Sequence, residues 1–217
     1  MYDCNVSRRT AAAAANTRRE LIAAAMSVFA ESGFPNATLE AIAERAGVTR
    51  GALYHHFASK EDIYDVVLRQ VADQVMQPLL AGLTVTGPPL PRIHRFVESY
   101  CTALGTDAVF RQAVSLLLAG APSEQARERT GRGFAAFLAS FEAVLREAAD
   151  HGDLRVGLSP RSAAISVLAC AVGATAASLQ APELFSPAVQ ARPLADSLIA
   201  GLSADPPKGS TAELGGP

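Results

Sequence analysis

The chain has 217 residues, enough for one large or two small domains, and its 49% hydrophobic share excludes a mostly disordered polymer. Alanine supplies 43 of the 107 apolar residues, against 22 valines and isoleucines, 13 aromatics and no tryptophan; this favours an all-α fold and excludes sandwiches, barrels and parallel-sheet enzymes. A net charge of -2 excludes a chain that coats nucleic acid over its whole surface, yet residues 1–60 carry 7 Lys/Arg against 5 Asp/Glu and the remainder 12 against 16, which permits a local nucleic-acid site near the front.

Residues 1–16 hold a basic pair and an alanine run without the apolar core of a secretion leader, so they are expected to form a disordered arm on a cytoplasmic chain. Thr17-Arg18-Arg19-Glu20 has the form of a capping box and predicts a helix over about 18–32. Its apolar face is Ile22, Ala25, Met26 and Phe29, and Gly33 with Pro35 supplies the stop. Thr38 caps a second, short helix that ends at Gly47, and Thr49 caps a third at once. Val48 and Leu53 are spaced as a hydrophobic staple across that third cap, so the pair of helices has the proportions of a helix-turn-helix.

Ser59, with Asp62 at the third helical position, starts a fourth helix over about 60–77, which Pro78 ends or bends. The loop 84–91 precedes a helix carrying Ile93, Phe96, Val97, Tyr100 and Leu104, then helices near 107–119 and 123–150. Ser159-Pro160 marks the start of a helix to about 180, and a last helix covers about 187–202. The organisation expected is an arm (1–16), a three-helix domain carrying the helix-turn-helix (17–63), a second helical domain (64–203), and a disordered tail (204–217). Residues 162–182 run 21 positions without a charge, but their small-residue content and lack of Trp or Tyr anchors predict a helix buried by other helices and no membrane span.

The informative stretch is Thr49 to Lys60. Leu53 and Phe57 are one helical turn apart and face inward, which leaves Arg50, Gly51, Tyr54 and His55 on the opposite face. Arginine suits a phosphate or a guanine edge, glycine permits close backbone approach, and tyrosine and histidine can donate to phosphate or touch a thymine methyl. Lys60 adds a phosphate contact, and the Thr38 hydroxyl can bond another. The same Tyr-His-His-Phe run would suit the surface of an ordinary bundle; the short helix, the glycine turn and the basic surroundings favour DNA.

From Thr17 to about Val67, the chain closely resembles the DNA-binding domain of the TetR/AcrR family of bacterial one-component repressors, with GFPNATLEAIAERAGVTRGALYHHFASKEDIYDVV at its centre. The resemblance implies a DNA-facing set of Thr38, Thr49, Arg50, Gly51, Tyr54, His55, His56 and Lys60. Tyr54, His56 and Lys60 would then grip the backbone, and Arg50, Gly51 and His55 would read bases. It also implies a repressor that binds a pseudo-palindromic double-stranded operator as a homodimer, paired through residues about 160–202, and is released by a small-molecule effector. The fourth helix would couple effector to DNA.

Candidates for the effector site are Phe96, Tyr100, Cys101, Phe110, Val114, Leu117, Phe134, Phe137 and Phe141, with Glu98 and Arg111 able to select a polar ligand end. Few aromatics argue for a small or aliphatic effector. Cys4, Cys101 and Cys170 are widely separated, without metal spacing, and read as reduced thiols. No cofactor or metal is expected, and the absence of HExxH, GxSxG, Walker and GxGxxG patterns argues against an enzyme. The alternative is a helical ligand-binding or interaction module without sequence-specific DNA binding.

Overall fold

A computed structural model describes residues 3–71, 73, 77–119 and 124–204. It bears out the all-α expectation: the described residues form helices α1 (Asp3–Asn36), α2 (Leu39–Arg45), α3 (Arg50–His56), α4 (Lys60–Val71), α5 (Gln77–Ala81), α6 (Pro89–Thr106), α7 (Ala108–Leu118), α8 (Glu124–Asp150), α9 (Pro160–Gln180) and α10 (Pro187–Leu202).

The chain divides into two compact units, Met1–Met76 with Val109–Gly131, and Gln77–Ala108 with Arg132–Pro217. The division therefore differs from the expected boundary at 63/64. Residues of α7 and the start of α8 join the first unit because Ala113, Leu116 and Ala126 are buried in the same cluster as α1 and α4. Of the expected tail, all but Ala204 lies outside the described residues.

The expected disordered arm is corrected by α1, which is helical from Asp3. Five successive alanines at 11–15 favour the helix intrinsically. Across the expected start, Asn16 Nδ2 donates to Glu20 Oε1 at 2.6 Å and Arg19 Nη2 to Asn16 Oδ1 at 3.0 Å, so Glu20 bridges a continuous helix instead of closing a capping box. The expected stop is found: the backbone leaves helical geometry at Gly33, with φ 71°.

In the first unit, Leu21, Ile22, Ala25 and Phe29 of α1 share a core with Ile42 of α2, Leu53 of α3, Phe57, and Ile63, Tyr64 and Val67 of α4. Tyr64 stands edge-on to both Phe29 and Phe34, at 5.0 Å from each ring centre. Thr38 Oγ1 accepts the Ala41 N–H at 3.1 Å and so caps α2. At the other end Gly47 N donates to Glu44 O and Val48 N to Ala43 O, both at 3.0 Å, which is a Schellman closure with Gly47 in the left-handed region at φ 66°. Ser59 Oγ accepts the Asp62 N–H at 3.1 Å while Asp62 Oδ2 accepts the Ala58 N–H at 3.2 Å, a reciprocal cap that starts α4.

The second unit is built around α6, which packs on α9 and α10. Ser159 Oγ caps α9 through the Ser162 N–H at 3.1 Å, with Pro160 at the first helical position as expected. Ala163, Ala164, Val167, Ala171, Ala174 and Thr175 form the buried stripe of α9, whereas Ile165, Ala169, Gly173 and Leu179 on its other side are exposed. By length and composition α9 could cross a membrane, and 33% of its apolar window is buried. Arg92 is buried, with Nε donating to Leu83 O at 2.8 Å and Nη1 paired with Glu147. His94 Nε2 bonds Asp196 Oδ1 at 2.7 Å and joins α6 to α10.

Because a Cβ at Gly47 would meet no atom within 4 Å, Gly47→Ala tests backbone conformation alone. It should lower unfolding free energy by about 1 kcal/mol, read from chemical denaturation, without changing the helical signal.

Candidate nucleic-acid interface

α3 has only seven residues and is held at both ends. Thr49 Oγ1 accepts the Ala52 N–H at 3.2 Å, and Phe57 N donates to Leu53 O at 3.0 Å. Leu53 and Phe57 are 0% and 1% exposed and point the helix's apolar side into the first unit. Consequently Thr49, Arg50, Gly51, Tyr54 and His55 are exposed together, and His56 is half-buried at the edge. His55 and His56 stand edge to face at 5.5 Å. Thr38 is exposed, with its oxygen engaged in the α2 cap.

A methyl group at Gly51 would meet only Thr49 Oγ1, at 3.9 Å, an ordinary contact. The protein's own packing therefore does not require glycine there. Arg50 Nη2 pairs with Glu40 Oε1 at 2.8 Å and donates to Tyr54 Oη at 3.4 Å, and its guanidinium carbon lies 5.6 Å from the Tyr54 ring centre. The Tyr54 hydrogen bond, and after it the charge of Glu40, raise the Arg50 pKa above its ordinary value.

Lys60 sits differently from the expected phosphate contact. Its ammonium donates to the carbonyls of Phe34 at 2.7 Å, Ala37 at 2.9 Å and Pro35 at 3.4 Å, and lies 4.4 Å from the Phe34 ring centre. Three donors meet three acceptors, so Lys60 ties the start of α4 to the end of α1. Arg45 is likewise engaged, paired twice with Glu31 at 2.5 and 2.7 Å, and Arg18 covers the Phe57 ring at 5.1 Å. Sequence reasoning missed Glu40; the signal was an acid and a base at the start of two helices joined by one tight turn.

The effector candidates fall into both units. In the second, Phe96 stacks on Tyr100 at 6.0 Å and meets Phe141 edge-on at 4.7 Å, with Phe137 tilted 6.2 Å from Phe141. Cys101 is fully buried and Phe134 half-buried. The Tyr100 and Thr175 hydroxyls are 2.6 Å apart; burial pushes the phenol to about 12 against the Thr175 hydrogen bond, and the Cys101 thiol to about 11. In the first unit, Phe110 and Val114 are buried and Leu117 packs partly buried against the core. Glu98 lies 3.7 Å from His94, and Arg111 is half-buried in the first unit.

A cleft of about 240 Å³ opens between α5 and α6, lined by Pro78, Leu79, Val85 and Phe96 together with Arg92, Arg95 and Ser99. Of the nine candidates only Phe96 lines it. Arg92, Arg95 and Ser99 recur at helical spacing beside Phe96, the one sequence cue to this cleft. Among the described residues no three His, Cys, Asp or Glu side chains converge to hold a metal.

Residues 21–67 match the family model described as bacterial regulatory proteins, tetR family. Over 173 residues the chain is 32% identical to the HTH-type transcriptional repressor BepR of Brucella suis biovar 1, covering 76% of this chain and 82% of that protein. It is 51% identical over 63 residues to the uncharacterized HTH-type transcriptional regulator TtgW of Pseudomonas putida, which covers 29% of this chain and 47% of TtgW, less than two thirds of that relative. Among solved structures it resembles the complex of triclosan with SmeT, the repressor of the Stenotrophomonas maltophilia multidrug efflux pump SmeDEF. That match has a TM-score of 0.73 and 29% identity, and covers 88% of this chain and 93% of that one.

The engagement of Lys60 sets its test. Lys60→Met should lower unfolding stability by about 1–2 kcal/mol through the three lost bonds. The slope of duplex affinity against salt should stay unchanged, whereas a slope reduced by about one would put Lys60 on a phosphate.

Proposed function

The chain belongs to the TetR family of bacterial regulatory proteins, and from that premise we propose that it is an effector-responsive transcriptional repressor that lays α3 in the major groove of an operator. The observation that carries this reading is the outward face of α3, where Arg50, Gly51, Tyr54 and His55 are exposed on a helix whose other side is anchored by Leu53 and Phe57. Arg50 and His55 are the base-reading candidates. Tyr54 and His56 contact the backbone, and the α2 and α3 caps Thr38 and Thr49 lie at its margin.

Homodimerisation through residues 160–202 is supported by α9. Beyond Arg161 its outer side carries no charge, Ile165 is 50% and Leu179 45% exposed, and Ala169 and Gly173 allow a second helix to approach closely. A homodimer offers two α3 helices, one for each half-site of an operator whose half-sites lie about one helical turn, ~34 Å, apart. Operating on DNA assigns the protein to the cytoplasm. For the effector, the α5–α6 cleft at Phe96 supports a small molecule, since its volume of about 240 Å³ is below the ~300 Å³ of the smallest drug-sized pockets.

Gly51→Ala tests the DNA-reading face. Alanine is the better helix former, so thermal stability should be unchanged or slightly raised, while the added methyl holds α3 off the duplex. Binding to a duplex enriched by the unaltered protein from a randomised pool should weaken at least ~10-fold, the loss of about one good base contact. Unchanged binding by a folded Gly51→Ala protein would contradict the reading.

A further inference from the structure

Arg50 begins α3, and Glu40 lies in the first turn of α2 on the other side of the Gly47 turn. Both side-chain partners of Arg50 fall on one nitrogen: Nη2 meets Glu40 Oε1 at 2.8 Å and Tyr54 Oη at 3.4 Å. A guanidinium offers two forks to a nucleic acid, end-on through Nη1 and Nη2 or side-on through Nε and Nη2. Nη2 is common to both. With Nη2 in an ion pair with Glu40 and a hydrogen of it given to Tyr54, either fork must displace these partners before it can grip guanine N7 and O6 or a phosphate bidentately.

We propose that Glu40 is a positioning residue that competes with DNA for Arg50. The Glu40–Arg50 pair opens before the guanidinium takes the duplex, and operator affinity is therefore set below the level Arg50 alone would give. The two side chains are 53% and 62% exposed, so the pair is of the solvent-screened kind, worth up to about five-fold in an equilibrium constant. A bidentate arginine–guanine contact is worth from about five-fold to over a hundred-fold, enough to displace it. Glu40 thus tempers binding without preventing it. This inference rests on the reading of Arg50 as a duplex contact.

The test measures affinity of the full chain for a duplex enriched by the unaltered protein from a randomised pool. Glu40→Gln is compared with Glu44→Gln, which removes the same charge from an exposed position one turn further along α2. Glu40→Gln should tighten binding ~3-fold beyond the effect of Glu44→Gln, and the excess should vanish when both are made in an Arg50→Ala background. Equal effects of the two glutamine variants, weaker binding by Glu40→Gln, or an excess that survives in Arg50→Ala would each overturn the proposal. If Arg50→Ala itself leaves binding unchanged, or if no duplex is enriched, the underlying reading of α3 fails and the proposal with it. If Arg50→Ala weakens binding while the two glutamine variants match, only the competition by Glu40 fails.

Discussion

Leu53 and Phe57, one turn apart on or just beyond a seven-residue helix, are sealed in a core with Phe29, Ile42 and Ile63. A helix this short does not form alone in water, because nucleation costs more than two turns return. Burying a leucine or phenylalanine contributes about 1.5–3 kcal/mol, so these two contacts are what make α3 a helix at all. They also fix its rotation. With Leu53 and Phe57 inward, Arg50, Gly51, Tyr54 and His55 face outward, and the proposed binding surface is a by-product of the packing that stabilises the domain.

Around that anchor, most positive charge of the front segment is committed within the protein. Arg45 is forked onto Glu31, Lys60 is half-buried with its ammonium among the carbonyls at the end of α1, Arg18 covers Phe57, and Arg50 is paired with Glu40. In a chain of net charge -2 this leaves little bulk attraction for a polyanion. On the proposed reading, recognition comes from close fit: the bare backbone at Gly51, the donors on Tyr54 and His55, and an Arg50 proposed to change partners on arrival. A repressor built this way discriminates against random duplex by holding back its general electrostatics.

The segments α2 to α4 were legible in the sequence because their determinants are local. Thr38, Thr49 and Ser59 cap the helix that follows each, and Gly47 lies in the one left-handed position that closes α2. The start of α1 is not legible because a threonine three residues before a glutamate looks like a cap whether or not the helix has already begun. Lys60 and Glu40 escaped because their partners are 26 and 10 positions away in sequence, brought near only by the fold. The effector residues were legible least of all. Apolar stripes at helical spacing reveal which side of a helix avoids water but not what it meets, so Phe110 and Val114 belong to the first unit's buried residues while Phe96 alone reaches the α5–α6 cleft.

On the proposed reading, two copies of this chain each read a half-site with the outward face of α3. Selection of duplexes from a randomised pool by the purified protein, followed by sequencing, tests it most directly. An inverted repeat whose half-sites are centred about one helical turn, ~34 Å, apart or slightly more should be enriched. A pool that stays random, or an enriched site without inverted symmetry, would contradict it.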